Sequence, residues 1–163
     1  MTGAPEREAL GTLLRHVLDM LDGDVAAVYA ERGLADYRPR FSPPLRVLVA
    51  DGPLPIRDLA RRVGVTHSAA SQTVAQMARA GLVELTPGAD ARQRIVHLTD
   101  RARELLPLIE AEWAATTAAM RELDAELPVP LADLLHEVLA AVGRRPMRQR
   151  IADAGLPPPP RPR

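Results

Sequence analysis

Apolar residues change from a helical to a strand spacing in one short part of this chain, and that change limits the fold more than any other feature. Before Gly81 apolar side chains recur at every third or fourth position, which predicts helices. After Gly81 they alternate over 82–86 and again over 94–98, which predicts two strands joined by a short loop. The sequence therefore predicts a mainly α-helical protein with one small β-hairpin.

Three short helices are predicted ahead of the hairpin, at 43–50, 56–63 and 67–80. Ser42 and Thr66 are expected to cap the first and third of them, and Gly64 supplies the turn between the second and third. A short helix, a turn containing glycine and a longer helix with a polar face form a helix-turn-helix. A hairpin directly after the third helix is then the wing of a winged helix-turn-helix.

Long amphipathic helices are predicted on both sides of this block. The first runs from about Pro5 to Arg32, with Gly23 as a position for a bend; the others follow Thr99, with a bend near Pro107, and cover 131–143. Their apolar stripes exceed what a winged helix of about 65 residues covers, so a second copy of the chain is expected to cover them. The predicted organisation is an N-terminal dimerisation helix, the winged helix, C-terminal dimerisation helices and a mobile Arg/Pro-rich tail, at 1–37, 38–103, 104–145 and 146–163.

The charges are balanced overall but not along the chain. The formal net charge is zero, yet the segment 38–103 holds eleven arginines and five carboxylates, while the segments before and after it are acidic. A basic central segment between acidic ends is typical of a nucleic-acid-binding region in a protein of zero net charge. Chance clustering of charges on a solvated surface gives the same pattern.

The third helix has the polar face that a helix in the major groove requires. Val74, Met77 and Ala78 are expected to pack inward, and Gln72 suits a bidentate contact with adenine. Thr66 and Ser68 lie where the helix N-terminus favours a phosphate. The side chains predicted to contact DNA from this helix and its cap are Thr66, His67, Ser68, Ser71, Gln72, Gln76 and Arg79. An ordinary surface helix also has a polar side, but the whole block together favours recognition.

The loop between the two strands carries a second DNA-binding signal. Arg92 lies at the expected tip of the wing, where a long cation suits the negative potential of a narrow minor groove. Asp90 is close enough in sequence to orient the Arg92 guanidinium, and Arg94 at the strand start can reach a phosphate. The alternative is a hairpin stabilised by a surface ion pair.

Three stretches together resemble the MarR family of winged-helix transcription regulators. They are IRDLARRVGV at 56–65, THSAASQTVAQMARAGLVE at 66–84 and DARQRIVHLTDR at 90–101. The resemblance implies a homodimer with interlocked terminal helices, binding to double-stranded DNA at an inverted repeat, and in many members release by a small ligand. It also implies that Asp90 and Arg92 form the wing-tip pair. Ala102 stands where members often have glycine.

Several other functions find little support. The chain has no cysteine, which excludes thiol chemistry and peroxide sensing through cysteine, and only four aromatic residues, which argues against base-stacking RNA readers. No Gly-x-Ser-x-Gly elbow or glycine-rich phosphate loop is present, so an enzyme is not expected, and no cofactor either. Two alternatives stay open: a winged helix that binds protein, and a metal-responsive regulator using His16 with Asp19 or Asp22.

A ligand pocket is expected between the dimerisation helices and the winged helix, as the family resemblance implies. Arginine beside aromatic side chains would suit a small aromatic or anionic effector, although core packing explains the aromatics as well. The candidate residues are Arg15, His16, Tyr37, Phe41 and Trp113. No run of 18 apolar residues exists and the N-terminal region is acidic, so a cytoplasmic location without membrane contact is expected.

The wing arginine yields the first prediction. Arg92→Ala should weaken binding to every DNA sequence and flatten the log–log salt dependence by about one unit per wing. If each protomer neutralises roughly five phosphates, the slope for a dimer should be near −9 before the change. Titrations at several salt concentrations measure it, and an unchanged slope would remove Arg92 from the interface.

Overall fold

The structure is a computed structural model that describes residues 9–88, 90 and 93–155. These residues belong to two compact units, divided between Glu110 and Ala111, and each is described by itself. The helices are α1 (Leu10–Glu31), α2 (Ser42–Asp51), α3 (Ile56–Val63), α4 (His67–Arg79), α5 (Asp100–Ala125), α6 (Leu131–Arg144) and α7 (Met147–Asp153). The strands are β1 (Leu54–Pro55), β2 (Val83–Pro87) and β3 (Arg94–Leu98).

The first helix is continuous. It passes through Gly23 without a break, and a Cβ added there would meet nothing within 4 Å, so no close packing requires glycine at this position. Its predicted start at Pro5 lies outside the described residues. The helix ends at Glu31, two residues before Gly33 takes up a left-handed φ of 79°.

The predicted cap of the second helix is wrong. Ser42 is itself the first residue of α2 and its side chain caps nothing, because its Oγ lies 3.0 Å from the Tyr37 hydroxyl instead. A 3₁₀ turn at Pro39–Phe41 leads directly into the helix and takes the place of a cap. The two prolines expected in the first turn, Pro43 and Pro44, are there.

The helix-turn-helix lies where the sequence predicts it. Gly64 adopts a left-handed φ of 79°, and the Gly64 and Val65 amides donate to the Ala60 carbonyl at 2.9 and 3.0 Å, which closes the end of α3. Arg62 donates to the Asp51 carboxylate through Nε at 2.7 Å and through Nη2, which joins α3 to the end of α2. This pairing raises the pKa of Arg62.

The hairpin is part of a three-stranded antiparallel sheet of order β1-β3-β2. Val96 at its centre is buried and lies opposite Leu54 of β1 on one side and Leu85 of β2 on the other. Strand β1 was not predicted because it has only two residues, and only its pairing with the distant β3 makes it a strand. The sheet therefore attaches the wing to the segment just before α3.

The core of the first unit collects side chains from every one of its layers. The largest side chains under 2% exposed come from α1, the 3₁₀ turn, α2, α3, α4, β3 and α5: Tyr29, Phe41, Leu45, Leu59, Val74, Met77, Val96 and Ile109. Burial of this set provides the main driving force for folding of the unit.

The second unit contains the rest of α5 and two more helices. Asp124 accepts a hydrogen bond of 2.9 Å from the Leu131 amide at the start of α6. α6 continues one residue past its predicted end at Gly143, and α7 follows where an irregular Arg-rich stretch was expected. Arg145 pairs with Asp153, and Arg150 Nη2 donates to the Ala141 carbonyl at 3.0 Å, which fixes α7 against the end of α6. The predicted tail from 156 onward lies outside the described residues.

A threonine between β3 and α5 yields the second prediction. Thr99 Oγ1 donates to the Gly81 carbonyl at 2.7 Å and accepts from the Ala102 amide at 3.1 Å, which confirms Thr99 as the cap of α5. Thr99→Ala should therefore lower the free energy of unfolding by about 1–2 kcal/mol, measured by urea denaturation.

Thr117→Ala is the matched control. The Thr117 hydroxyl is exposed and bonds only within its own helix, to the Trp113 carbonyl, so its loss should cost no more than about 0.5 kcal/mol. Equal losses for the two variants would contradict the special role of Thr99.

Candidate nucleic-acid interface

The two faces of α4 differ sharply in burial. Ala70, Val74 and Met77 are buried against the core, whereas the half-buried Ala78 contributes less than expected. On the opposite side, Gln72, Gln76 and Arg79 lie within about 60° of one another around the helix axis. Of the predicted DNA contacts on this helix, His67, Ser68, Gln72 and Arg79 are exposed and Ser71 and Gln76 half-buried.

Hydrogen bonds hold both ends of α4. At the N-terminus Thr66 Oγ1 accepts from the Ala69 amide at 3.2 Å, which confirms the predicted cap. At the C-terminus Arg101 Nη1 donates to the Ala80 carbonyl at 3.1 Å, and Thr99 to the next carbonyl, Gly81. Because cations and donors at a helix C-terminus are favourable, the first turn of α5 stabilises the end of α4.

The wing is ordered by pairing up to the base of its loop. The Gly88 amide donates to the Gln93 carbonyl at 3.0 Å, and the Gln93 amide to the Asp90 carbonyl at 2.8 Å. Arg94 and Asp90 are exposed at this end of the hairpin. Arg92 lies outside the described residues, so its predicted place at the tip and its pairing with Asp90 stay predictions.

A cleft of about 350 Å³ brings the wing and the start of α4 together. It is lined by Pro55, Ile56, Arg57, Asp58, His67, Asp90, Gln93 and Arg94. Three of the predicted DNA contacts, His67, Asp90 and Arg94, thus share one site. Arg57, which was not among the predicted contacts, adds a second arginine to this site. It could have been found from its position in the first turn of α3, directly after β1.

A second, more open cleft of about 350 Å³ lies at the other end of α4. Its lining is Asp36, Arg38, Arg40, Phe41, Gln76, Arg79 and Ala80. Here Gln76 and Arg79 lie beside Arg38 and Arg40. These two arginines were not predicted as DNA contacts, because they precede α2 and are distant from α4 along the chain. Nearby, burial and Asp19 raise the pKa of Asp22, and the Arg40 charge opposes that shift.

The residues proposed for a ligand pocket are only partly assembled. Tyr37 and Phe41 are buried, with Tyr37 stacked 4.0 Å from Tyr29 and 5.7 Å from Phe41 between ring centroids. Arg15 donates to the Gly11 carbonyl of its own helix at 3.2 Å and lies about 21 Å from Tyr29 along α1, with the half-buried His16 beside it.

Trp113, the fifth candidate, belongs to the second unit. The contacts of the first unit therefore join two of the five candidate residues, and the pocket as a whole stays a prediction.

Two further properties bear on function. In the described ranges 9–88, 90 and 93–155, no three His, Asp or Glu side chains lie together in a way that could hold a metal ion. Within the same part of the chain, no helix has the length and apolarity needed to cross a membrane.

The arrangement of α3, α4 and the three-stranded sheet defines a winged helix-turn-helix protein. Residues 45–94 match the sequence model of the MarR family. No functionally curated protein matches the sequence.

Solved structures share the fold at low sequence identity. The Mycobacterium tuberculosis regulator MOSR, solved with DNA, is 24% identical with a TM-score of 0.64, covering 84% of this chain and 98% of that one. PcaV of Streptomyces coelicolor, solved with its natural ligand, is 18% identical with a TM-score of 0.61, covering 89% and 99%. Overoxidized AbfR bound to DNA is 16% identical with a TM-score of 0.62, covering 84% and 92%.

Proposed function

We propose that this protein is a homodimeric transcription regulator that binds double-stranded DNA, with α4 in the major groove and the wing in the adjacent minor groove. The observation that carries the proposal is the outward face of α4. Its polar side chains project from a helix that is held at both ends and packed on one side, so they are positioned before DNA arrives. Such preorganisation lowers the entropic cost of binding.

The charge distribution supports the same function. Arg57 and Arg94 lie in the cleft beside the start of α4, and Arg79 lies at its end. Cations on both sides of the helix suit the two phosphate backbones that border a major groove. MOSR and AbfR, which share the fold, were solved bound to DNA.

Exposed apolar stripes support the dimer. On α1, Leu10, Leu14 and Leu18 are 61%, 48% and 57% exposed and lie on one face of the helix. On α6, Leu134, Val138 and Leu139 are 51%, 47% and 69% exposed. Contiguous apolar surface of this kind marks a contact site, and a two-fold dimer is the commonest way in which soluble proteins cover it.

We further propose that the regulator is a repressor that a small aromatic or anionic ligand releases from DNA. PcaV, which shares the fold, was solved with its natural ligand. In one protomer Arg15 and His16 lie far along α1 from the Tyr37 and Phe41 pair, so a pocket formed by all of the candidate residues would include α1 of the second copy. A ligand that binds only the DNA-free arrangement would shift the population away from the bound one.

Selection of bound sites from random DNA tests the proposal. The expected result is a pseudo-palindrome with half-sites about one helical turn apart, bound by two chains per duplex. A gel-retardation assay on the selected duplex, with and without small aromatic acids, tests release from DNA. A protein that retards no duplex even at low salt would favour the protein-binding winged helix instead.

Gln72 yields a sharper prediction on the selected site. Gln72→Ala should lose discrimination at one base position in each half-site, by about 1–3 kcal/mol, because a bidentate contact with adenine is removed. Binding to a panel of singly substituted duplexes measures this loss. Gln149→Ala, on the exposed surface of α7, is the control and should leave every ratio unchanged. Uniform weakening across the panel by Gln72→Ala would count against direct readout.

A further inference from the structure

The open cleft at the end of α4 has a composition suited to binding an anion. Three of its seven lining residues are arginines, Arg38, Arg40 and Arg79, and one is a carboxylate, Asp36. Phe41 and Ala80 are its only apolar lining residues. A site with this excess of positive charge and so open a mouth suits a solvated anion on an extended partner better than an enclosed apolar molecule.

The cleft is continuous with the surface proposed to read DNA. Gln76 and Arg79 line it, and both lie on the same face of α4 as Gln72. The other wall is the segment 36–41, which ends in the 3₁₀ turn before α2. A duplex placed along the outward face of α4 would therefore bring one of its backbones toward Arg38 and Arg40.

Arg38 and Arg40 retain N–H donors for a phosphate of the DNA backbone. Arg38 Nη1 donates to the Ala35 carbonyl at 3.3 Å, which uses one of the five N–H groups of the guanidinium and sets its direction. Arg40 is exposed, and its charge acts on Asp22 of α1. Asp36 lines the cleft and Asp22 is near enough to feel the Arg40 charge, so the three arginines outnumber these two carboxylates.

We propose that Arg38, Arg40 and Arg79 form a phosphate-binding cleft that contacts the DNA backbone at the edge of the major groove holding α4. The inference rests on the proposed function and extends it. The planar guanidinium offers paired N–H donors that match two phosphate oxygens, so each arginine can bind one phosphate in bidentate fashion. These contacts fix the register of α4 on the duplex and carry no base information.

The test compares salt dependence between variants of the full chain. Arg38→Ala and Arg40→Ala should each reduce the slope of log affinity against log salt by about one unit per protomer. The reduction should be equal on the selected duplex and on a random duplex of the same length, with base preferences unchanged. Arg32→Ala is the matched control. Arg32 is exposed, its Nη1 donates to the Val28 carbonyl of α1, and it lies outside the cleft. The salt slope of this variant should therefore equal that of the wild type.

A second measurement removes the charge from the DNA and begins with wild-type protein. Neutral methylphosphonate linkages placed singly along the duplex should weaken binding at a backbone position flanking the contacted groove. On that modified duplex Arg38→Ala should cause no further loss, because its partner charge is already gone. Thermal melting followed by circular dichroism establishes that each variant is folded.

The outcomes separate this inference from the proposed function. A wild-type protein that binds no duplex overturns both. A wild-type protein that binds DNA, with slopes unchanged in Arg38→Ala and Arg40→Ala, overturns the cleft alone. Calorimetry with inorganic phosphate distinguishes a free anion as the occupant: phosphate binding that Arg38→Ala abolishes, with the DNA slope unchanged, would assign the cleft to a small anion and overturn the DNA contact.

Discussion

The hydrogen bonds at the two ends of α4 are the constraint on which the rest of the interface depends. Only three side chains, Ala70, Val74 and Met77, bury this helix, and one of them is as small as alanine. So narrow a buried stripe holds the helix against the core but constrains the orientation of its axis only weakly. The Thr66 cap at the start and the Thr99 and Arg101 hydrogen bonds at the end constrain that orientation further. Each neutral hydrogen bond contributes about 1 kcal/mol, which is modest for stability but sufficient to favour one orientation of a short helix.

The junction after α4 also joins the helix to the wing. Gly81 adopts a left-handed φ of 69°, a backbone conformation that favours glycine, and a Cβ at this position would lie 3.1 Å from Arg101 Nη1, so the Arg101 side chain would have to move slightly. The Thr99 amide donates to the Leu82 carbonyl at 3.2 Å, directly beside the bond from its hydroxyl to Gly81. The end of α4, the start of β2 and the first turn of α5 therefore meet at one small network. A ligand that displaced the beginning of α5 would act on α4 and the wing through this one network, as the proposed release from DNA requires.

The sequence predicted the elements whose boundaries are set locally and missed those set at a distance. α3 and β3 have the predicted bounds and α4 differs by one residue, because Thr66, Gly64 and Gly81 act within a few residues of themselves. By contrast, β1 exists only through its pairing with β3, and Ser42 fails as a cap because a partner five residues earlier, Tyr37, takes its hydroxyl. α7 is short and rich in arginine, and the carbonyl it uses as an anchor belongs to α6. The proposed site follows the same rule: the outward face of α4 could be predicted from helix periodicity, whereas Arg38, Arg40 and Arg57 are brought to the clefts at its two ends only by the fold.

Ion pairing helps to explain why a chain of zero net charge can still present a positive cleft at the end of α4. The basic segment 38–103 contains five carboxylates, and three of them pair with arginines outside both clefts: Asp51 with Arg62, Asp58 with Arg61 and Asp100 with Arg103. The cleft at the end of α4 therefore keeps an excess of arginines, whereas in the cleft beside its start Arg57 and Arg94 are balanced by Asp58 and Asp90, and the Asp58 carboxylate lies 3.9 Å from Arg57 Nε. Net charge is thus a poor guide to the partner of this protein, and the placement of its carboxylates within the winged helix is a good one.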